Sequence, residues 1–173
     1  MSVATANQTI GPYWHLIEDP TWSDLTRFGA DGEKIVVTGA VTDRAGNLVT
    51  DAAIEIWQTS PAAAETFPAF GRCRTDRTGC FRFTTLKPGP VAGWGNTQQA
   101  PHVAITIFAR GLLKALTTRL YFQDEPLNEA DPVLSLIEDE VRRRTLIARR
   151  VASGAWHLDI RLQGDHETVF MEF

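Results

Sequence analysis

Hydrophobic and polar residues alternate along seven short segments of the chain, and these segments are rich in β-branched and aromatic residues. They cover residues 34–41, 52–58, 80–86, 102–109, 118–122, 156–162 and 168–173. A period of two places the apolar side chains of each segment on one face, as in a half-buried strand. Turn-forming stretches such as TDRAGN, DRTG and KPGP lie between the segments. The pattern predicts an all-β fold, an antiparallel β-sandwich.

One segment has helical spacing instead. Apolar side chains recur there at Val133, Leu136, Ile137, Val141, Leu146 and Ile147, which predicts a short helical segment around 133–149. Three acidic residues at 138–140 stand four positions before three arginines at 142–144, the favourable order for ion pairs on a helix surface. We interpret the arginine cluster as a solvated face, with contact to a partner chain as the alternative.

Length and charge limit the classes of function. The 173 residues fit a single domain over 1–173, in which an N-terminal arm at about 1–33 precedes the first predicted strand. A net charge of −4 and a pI near 5.5 argue against a nucleic-acid partner. No stretch has the apolar length of a membrane span or the pattern of a signal peptide. We therefore expect a cytoplasmic protein with no nucleic-acid or membrane partner.

The two cysteines flank a predicted turn. Cys73 and Cys80 enclose RTDRTG, so a hairpin would bring them near each other. We favour two reduced thiols, as is usual in a cytosolic protein, and leave a disulfide or a ligand role open.

Few residues offer metal or nucleophile chemistry. The four histidines lack the close spacing by which one element presents two ligands to one ion, and only two tyrosines are present; these residues are His15, His102, His157, His166, Tyr13 and Tyr121. No nucleophile elbow, phosphate-binding loop or dinucleotide fingerprint occurs. Composition alone indicates a binding or interaction domain.

Several motifs, in order along nearly the whole chain, change this picture. They are QTIGPYWH, IEIWQ, FGRCRTDRTGCFRF, KPGP, APHVAITIFARG, TRLYFQDE and DIRLQGDHETVFMEF. With this set the chain resembles the intradiol ring-cleavage dioxygenases, and more closely the noncatalytic alpha subunits of their heteromeric members. The resemblance implies a β-sandwich fold and cleavage of a catechol with O₂ to a substituted muconate.

The resemblance also implies that the iron lies elsewhere. In catalytic subunits two tyrosines and two histidines hold Fe³⁺, and on that comparison His102 fills the first histidine position while Ala104 replaces the second. Val91 stands where one tyrosine is expected after KPGP, the stretch TSPAAAETFPA after IEIWQ contains no tyrosine, and Gln99 replaces an arginine. We therefore expect no metal ligand or catalytic residue in this chain, Fe³⁺ in a homologous beta subunit of an alpha–beta assembly, and a structural role for His102.

The remaining candidates belong to a substrate wall. On the resemblance, residues of the TIGP segment and the FARG arginine line the partner's active site; these are Thr9, Ile10, Gly11, Pro12 and Arg110. A guanidinium group suits an anionic ring substituent, so protocatechuate and 4-sulfocatechol are both candidate substrates. An ordinary ion pair with an exposed acid is the alternative for Arg110. Tyr13 and Trp14 are expected to pack against the beta subunit.

Three functions stay open. The chain is a noncatalytic dioxygenase subunit, a β-sandwich binding or carrier module without such a role, or a self-sufficient metalloenzyme that combines His102 with another histidine. The resemblance favours the first.

Overall fold

The described part of the chain contains eleven short strands. The computed structural model describes residues 10–11 and 13–172. The strands are β1 (Lys34–Thr42), β2 (Ala53–Trp57), β3 (Phe70–Arg74), β4 (Cys80–Leu86), β5 (Val91–Ala92), β6 (Gln98–Gln99), β7 (His102–Phe108), β8 (Leu116–Phe122), β9 (Ile147–Ala152), β10 (Ala155–His157) and β11 (Ile160–Arg161). The all-β prediction is confirmed, and β1, β2, β4 and β7 begin and end within one residue of the predicted bounds.

Nine strands belong to one sheet of mixed direction. Its order is β11-β1-β10-β9-β8-β7-β2-β3, and β4 also pairs with β1. The pairings of β1 with β10 and β11, and of β8 with β9, are parallel, whereas the other pairings are antiparallel. Strands β5 and β6 form a separate two-stranded ribbon. The purely antiparallel arrangement that the turns predicted is therefore interrupted at three pairings.

The core lies inside the curved sheet. Along β1 and β7 every second residue is buried, so each strand presents one apolar face inward. The largest cluster joins side chains from most strands, including Val37, Ile54, Ile56, Phe83, Ile105, Ile107, Leu120 and Phe122. The polar faces of β2, β7 and β8 are thereby left on the outside, where the residues of chemical interest lie.

The chain before β1 carries two 3-10 helices, Trp14–Ile17 and Pro20–Ser23. After the second helix, the amide of Leu25 donates a hydrogen bond to the carbonyl of Thr84 in β4, at 2.9 Å. The same leucine packs on Gly71 of β3 so closely that no side chain would fit at residue 71. The arm is thus fastened both to β3, at one end of the sheet order, and to β4, which pairs with β1 near the other end.

The predicted helix over 133–149 is wrong in extent. The structure has a 3-10 helix at Leu134–Leu136 and an α-helix, α1, of five residues at Glu140–Arg144. The next residues enter the sheet, because β9 pairs with β8 from Ile147 onward. Arg144 and Glu140 form the predicted surface ion pair at 2.5 Å, whereas the Asp139 carboxylate caps α1.

Two other predicted elements also differ. The predicted strand at 156–162 is divided into β10 and β11, and 168–171 contributes a single bridge, Thr117 to Met171; Phe173 lies outside the described residues. Cys73 and Cys80 do not face each other across a hairpin, since β3 pairs with β2 and β4 with β1. Both are free thiols.

One further 3-10 helix, Pro126–Ala130, lies before Leu134–Leu136. Within the described part of the chain, no helix has the length and apolar character needed to cross a membrane.

Candidate functional site

The loop after β7 carries Arg110 beside the N-terminal arm and the segment that leads into β2. These parts enclose a pocket of about 250 Å³, called here the Arg110 pocket, which is lined by Gly11, Trp14, His15, Thr50, Asp51, Arg74 and Arg110. The antiparallel register of β2 and β7 explains why Asp51 and Arg110 lie close together. Ala53 pairs with Phe108, and continuing that register past the strand ends places Asp51 opposite Arg110.

The structure gathers part of the predicted substrate wall. Gly11 and Arg110 line the same pocket. Ile10 is half-buried but is not among the lining residues. Thr9 and Pro12 lie outside the described residues. Contact of these five residues with a substrate stays a prediction.

Arg110 makes an ion pair, which the sequence analysis gave as the alternative to substrate binding, although its acidic partner was not indicated there. Its Nε donates to Oδ2 of Asp51. The arginine side chain is 69% exposed and the aspartate side chain only 23%, so the acid is the fixed member of the pair. No motif or spacing relates residues 51 and 110, and only the pairing of β2 with β7 brings them together.

The arm contributes a buried anchor next to three exposed apolar residues. The indole Nε1 of Trp14 donates to the main-chain carbonyl of Asp51 at 3.4 Å, and Trp14 is buried. Tyr13, Leu16 and Ile17 are each more than 70% exposed. The ring of Trp14 is therefore packed mostly within its own chain, and contact of Tyr13 and Trp14 with a partner stays a prediction.

His102 lies on the outer face of β7, and Ala104 follows on the same face. The Nδ1–H of His102 donates to the carbonyl of Ala100 at 2.8 Å, which fixes the ring and leaves the Nε2 lone pair. Burial lowers the pKa of His102 below its usual value. The histidine is therefore a neutral, oriented imidazole, and Ala104 offers no second donor beside it.

Tyr121 and Asp131 stand next to His102, but their polar atoms are occupied. The Tyr121 ring lies 5.5 Å from the His102 ring, centroid to centroid. Its hydroxyl donates to Asp131 Oδ1 at 3.1 Å and accepts from Arg119 Nη1 at 3.2 Å. Burial raises the pKa of Tyr121 above its usual value. The phenolate form that a metal ligand requires is thus disfavoured.

Asp131 is a buried structural acid. Its Oδ1 accepts the backbone amides of Val133 and Leu134, both at 2.9 Å, and its Oδ2 accepts that of Ala100 at 2.8 Å. With the Tyr121 hydroxyl this makes four donors on one carboxylate, which ties the strand entry at residue 100 to the helical segment that begins at residue 134. The carboxylate is saturated by this role.

These residues do not fit a ferric ion. Such a site needs three or more deprotonated or neutral donors that converge on one point. Here one imidazole is accompanied by a protonated phenol, a saturated carboxylate and the guanidinium of Arg119, which also donates to Gln99 at 2.6 Å. The Arg119 charge is close enough to act on the pKa of His102, and a permanent cation at that distance repels a metal ion.

The other histidines do not complete the set. His157 bonds to Thr38 and Asp159, at 3.0 and 2.7 Å, and His15 lines the Arg110 pocket. Across residues 10–11 and 13–172, no group of three or more His, Cys, Asp or Glu side chains is placed to hold a metal. A self-sufficient metal centre built on His102 therefore finds no support in the described residues.

Comparison with known proteins agrees with this fold. The family described as Dioxygenase has a model that matches residues 18–164. The chain is similar to the protocatechuate 3,4-dioxygenase alpha chain of Pseudomonas putida, with 40% identity over 98% of this chain and 96% of that protein. It is also similar to the protocatechuate 3,4-dioxygenase beta chain of Burkholderia cepacia, with 37% identity over 68% of this chain and 56% of that protein.

A solved structure gives the same result for the fold. The dioxygenase domain of a dioxygenase carbohydrate-binding protein fusion from Streptomyces sp. SirexAA-E superposes with a TM-score of 0.66. The identity is 28%, and the match covers 91% of this chain and 97% of that chain.

Proposed function

The chain belongs to the intradiol ring-cleavage dioxygenase family, and from that premise we propose that it is the noncatalytic alpha subunit of a protocatechuate 3,4-dioxygenase. Its partner is a homologous beta subunit that holds Fe³⁺, in an alpha–beta assembly. The substrate is a catechol with an anionic substituent, protocatechuate or 4-sulfocatechol, which is opened with O₂ to a substituted muconate.

The observation that carries the proposal is the donor set around His102. Ala104 supplies no donor, the Tyr121 hydroxyl is held between Arg119 and Asp131, and Arg119 adds a positive charge. A chain that belongs to this family and cannot assemble the metal centre needs a partner to be active. The similarity to an alpha chain along nearly its whole length supports the same assignment.

The Arg110 pocket supports a role in substrate binding. It combines Gly11 with a guanidinium group that suits a carboxylate or sulfonate. In the proposed complex Arg110, Gly11 and the adjacent residues Thr9, Ile10 and Pro12 form one wall of the partner's active site.

The arm next to this pocket supports an assembly. Tyr13, Leu16 and Ile17 expose a run of apolar surface directly beside the pocket lining. Apolar side chains grouped in this way mark interaction surfaces more often than isolated ones do. We place the beta subunit over this surface, so that the same contact covers the apolar residues and closes the pocket.

Metal and activity measurements test the assignment. The chain is purified alone and after co-expression with its beta partner, and each sample is assayed for iron and for O₂-dependent cleavage of protocatechuate. We expect less than stoichiometric iron and no activity for the lone chain, and both for the complex. One tightly bound iron per lone chain would contradict the proposal. A stable chain that fails to associate with the beta partner would favour the binding-module alternative.

Arg110→Ala in the assembled enzyme tests the substrate wall. Loss of one charge-assisted contact at an exposed site predicts a rise in KM for protocatechuate of about tenfold, with little change for unsubstituted catechol. Arg77→Ala is the matched control, because Arg77 is an exposed arginine in the turn between β3 and β4. An equal effect on both substrates would show that Arg110 does not recognise the anionic group.

A further inference from the structure

Asp51 contacts both halves of the Arg110 pocket through different atoms. Its carboxylate Oδ2 accepts from the Nε of Arg110, on the loop after β7. Its main-chain carbonyl accepts from the Nε1 of Trp14, on the N-terminal arm. Asp51 itself stands just before β2, next to the fully buried residues Ala52 and Ala53. A residue attached to the rigid sheet therefore connects two segments that the sheet does not include.

The ion pair leaves a defined part of the guanidinium group available. Arg110 uses Nε toward Asp51, and in the part of the chain that the structure describes neither Nη atom has a hydrogen-bond partner. Both Nη groups lie on one edge of the planar guanidinium group, and together they can donate two parallel hydrogen bonds to one anion. Holding Nε therefore selects which edge the ligand meets.

Exposure makes such a restraint necessary. Arg110 is 69% exposed, and an arginine side chain with that freedom occupies many rotamers, each of which loses entropy on binding. Asp51, with a side chain only 23% exposed, has less freedom to move. Asp51 therefore restricts which rotamers the Arg110 side chain populates.

The charges lead to a second consequence. The pair of Asp51 and Arg110 has no net charge, so this pair adds little long-range attraction of anions, and its own preference for an anionic substituent has to come from directed hydrogen bonds. Arg74 is a further cation in the lining of the pocket. Loss of the fixed orientation of the Arg110 guanidinium group should therefore lower the preference for anionic catechols more than loss of the Asp51 charge does.

We propose that Asp51 is a positioning residue that sets the preference of the composite active site for catechols with an anionic substituent, by holding Arg110 through Nε and presenting its Nη edge to the substrate. This inference rests on the proposed role of Arg110 as one wall of the partner's active site. It adds a residue that the sequence motifs did not indicate.

Two substitutions separate direction from charge. Asp51→Ala removes both the negative charge and the oxygen that accepts from Nε of Arg110. Asp51→Asn removes the charge but keeps an oxygen that can accept from Nε. Neither changes the main-chain carbonyl that binds Trp14. Both variants and Arg110→Ala are assembled with the beta partner, and KM and kcat are measured with protocatechuate and with catechol.

We expect Asp51→Ala to raise KM for protocatechuate by about 3- to 10-fold, with kcat and the KM for catechol little changed. Asp51→Asn should retain most of the preference. If Arg110→Ala abolishes the preference and Asp51→Ala leaves it intact, the positioning role is refuted while the substrate wall stands. If Arg110→Ala itself leaves the preference unchanged, the proposed wall fails. If Asp51→Ala raises both KM values equally, the residue is only structural and the inference is also refuted.

A measurement on the lone chain gives a second readout. The Nε–H resonance of Arg110, assigned by its loss in Arg110→Lys, should keep its shift and slow exchange in Asp51→Asn and lose both in Asp51→Ala. The indole N–H resonance of Trp14 should be unchanged in both variants, which verifies the fold. An Arg110 resonance that is the same in all three proteins would overturn the proposed restraint.

Discussion

Gly71→Ala tests how the N-terminal arm is fastened to the sheet. Gly71 lies in β3 opposite Ile56, and its backbone conformation is one that alanine adopts freely, since its φ is not positive. The space is the obstacle. A Cβ atom at residue 71 would lie 2.8 Å from the carbonyl oxygen of Trp22 and 3.3 Å from Cγ of Leu25, with a Leu25 methyl closer still.

The magnitude follows from the nature of these neighbours. One is backbone and the other is a fully buried side chain, so neither moves without cost. Overpacking of this kind lowers the free energy of unfolding by about 1 to 3 kcal/mol, which for a domain of this size corresponds to a decrease in Tm of roughly 2 to 12 °C. Urea denaturation followed by circular dichroism measures the loss.

A double-mutant cycle with Leu25→Ala identifies the cause. Leu25→Ala alone removes buried methyl groups and is expected to cost about 2 to 5 kcal/mol. In that background Gly71→Ala should cost less, with a coupling energy of about 0.5 to 2 kcal/mol. The same cost in both backgrounds would refute the idea that arm and sheet meet at this contact.

Three further predictions concern the rest of the chain. Burial lowers the pKa of His102 below 6.5, so the folded chain binds this proton more weakly than the unfolded chain does. The free energy of unfolding therefore falls as the pH drops below about 6.5. His102→Gln should flatten that part of the pH profile in urea melts. Asp131→Ala leaves buried amide donors unsatisfied and should cost at least about 3 kcal/mol in the same assay, whereas a loss below about 1 kcal/mol would show that water replaces the carboxylate. In the native protein, a thiol reagent should modify Cys80 but not Cys73, because burial raises the pKa of the Cys73 thiol to about 12; equal rates would contradict the burial of Cys73.

Strands with strict alternation were predictable from the sequence. The bounds of β4 were predicted to the residue, and those of β1 and β7 within one residue, because their period of two coincides with one buried and one exposed face. Strand β3 was missed, since Phe70–Arg74 contains a glycine and two arginines and resembles a turn. Its place is set by pairing with β2 rather than by its own composition.

The helix prediction failed where tertiary pairing opposes the local pattern. Leu146 and Ile147 fit a helical period, yet the chain leaves α1 at Thr145 and β9 follows, pairing in parallel with β8. Parallel partners are distant in sequence, so no local window contains the information.

The candidate site divides in the same way. Arg110 and Gly11 were found through motifs, whereas Asp51 and Arg119 were not, because their importance comes from neighbours across strands. Asp51 faces Arg110 through the β2–β7 register, and Arg119 lies near His102 because β8 pairs with β7.

The fastening of the arm has a consequence for assembly. Trp14 is buried and bonded to Asp51, and Leu25 is locked between β3 and β4. The conformational entropy of ordering this part of the arm is therefore lost when the single chain folds, not when the two chains meet. In the proposed assembly the beta subunit would therefore bind an arm that is already ordered, and more of the free energy gained from the contact would remain to hold the complex together.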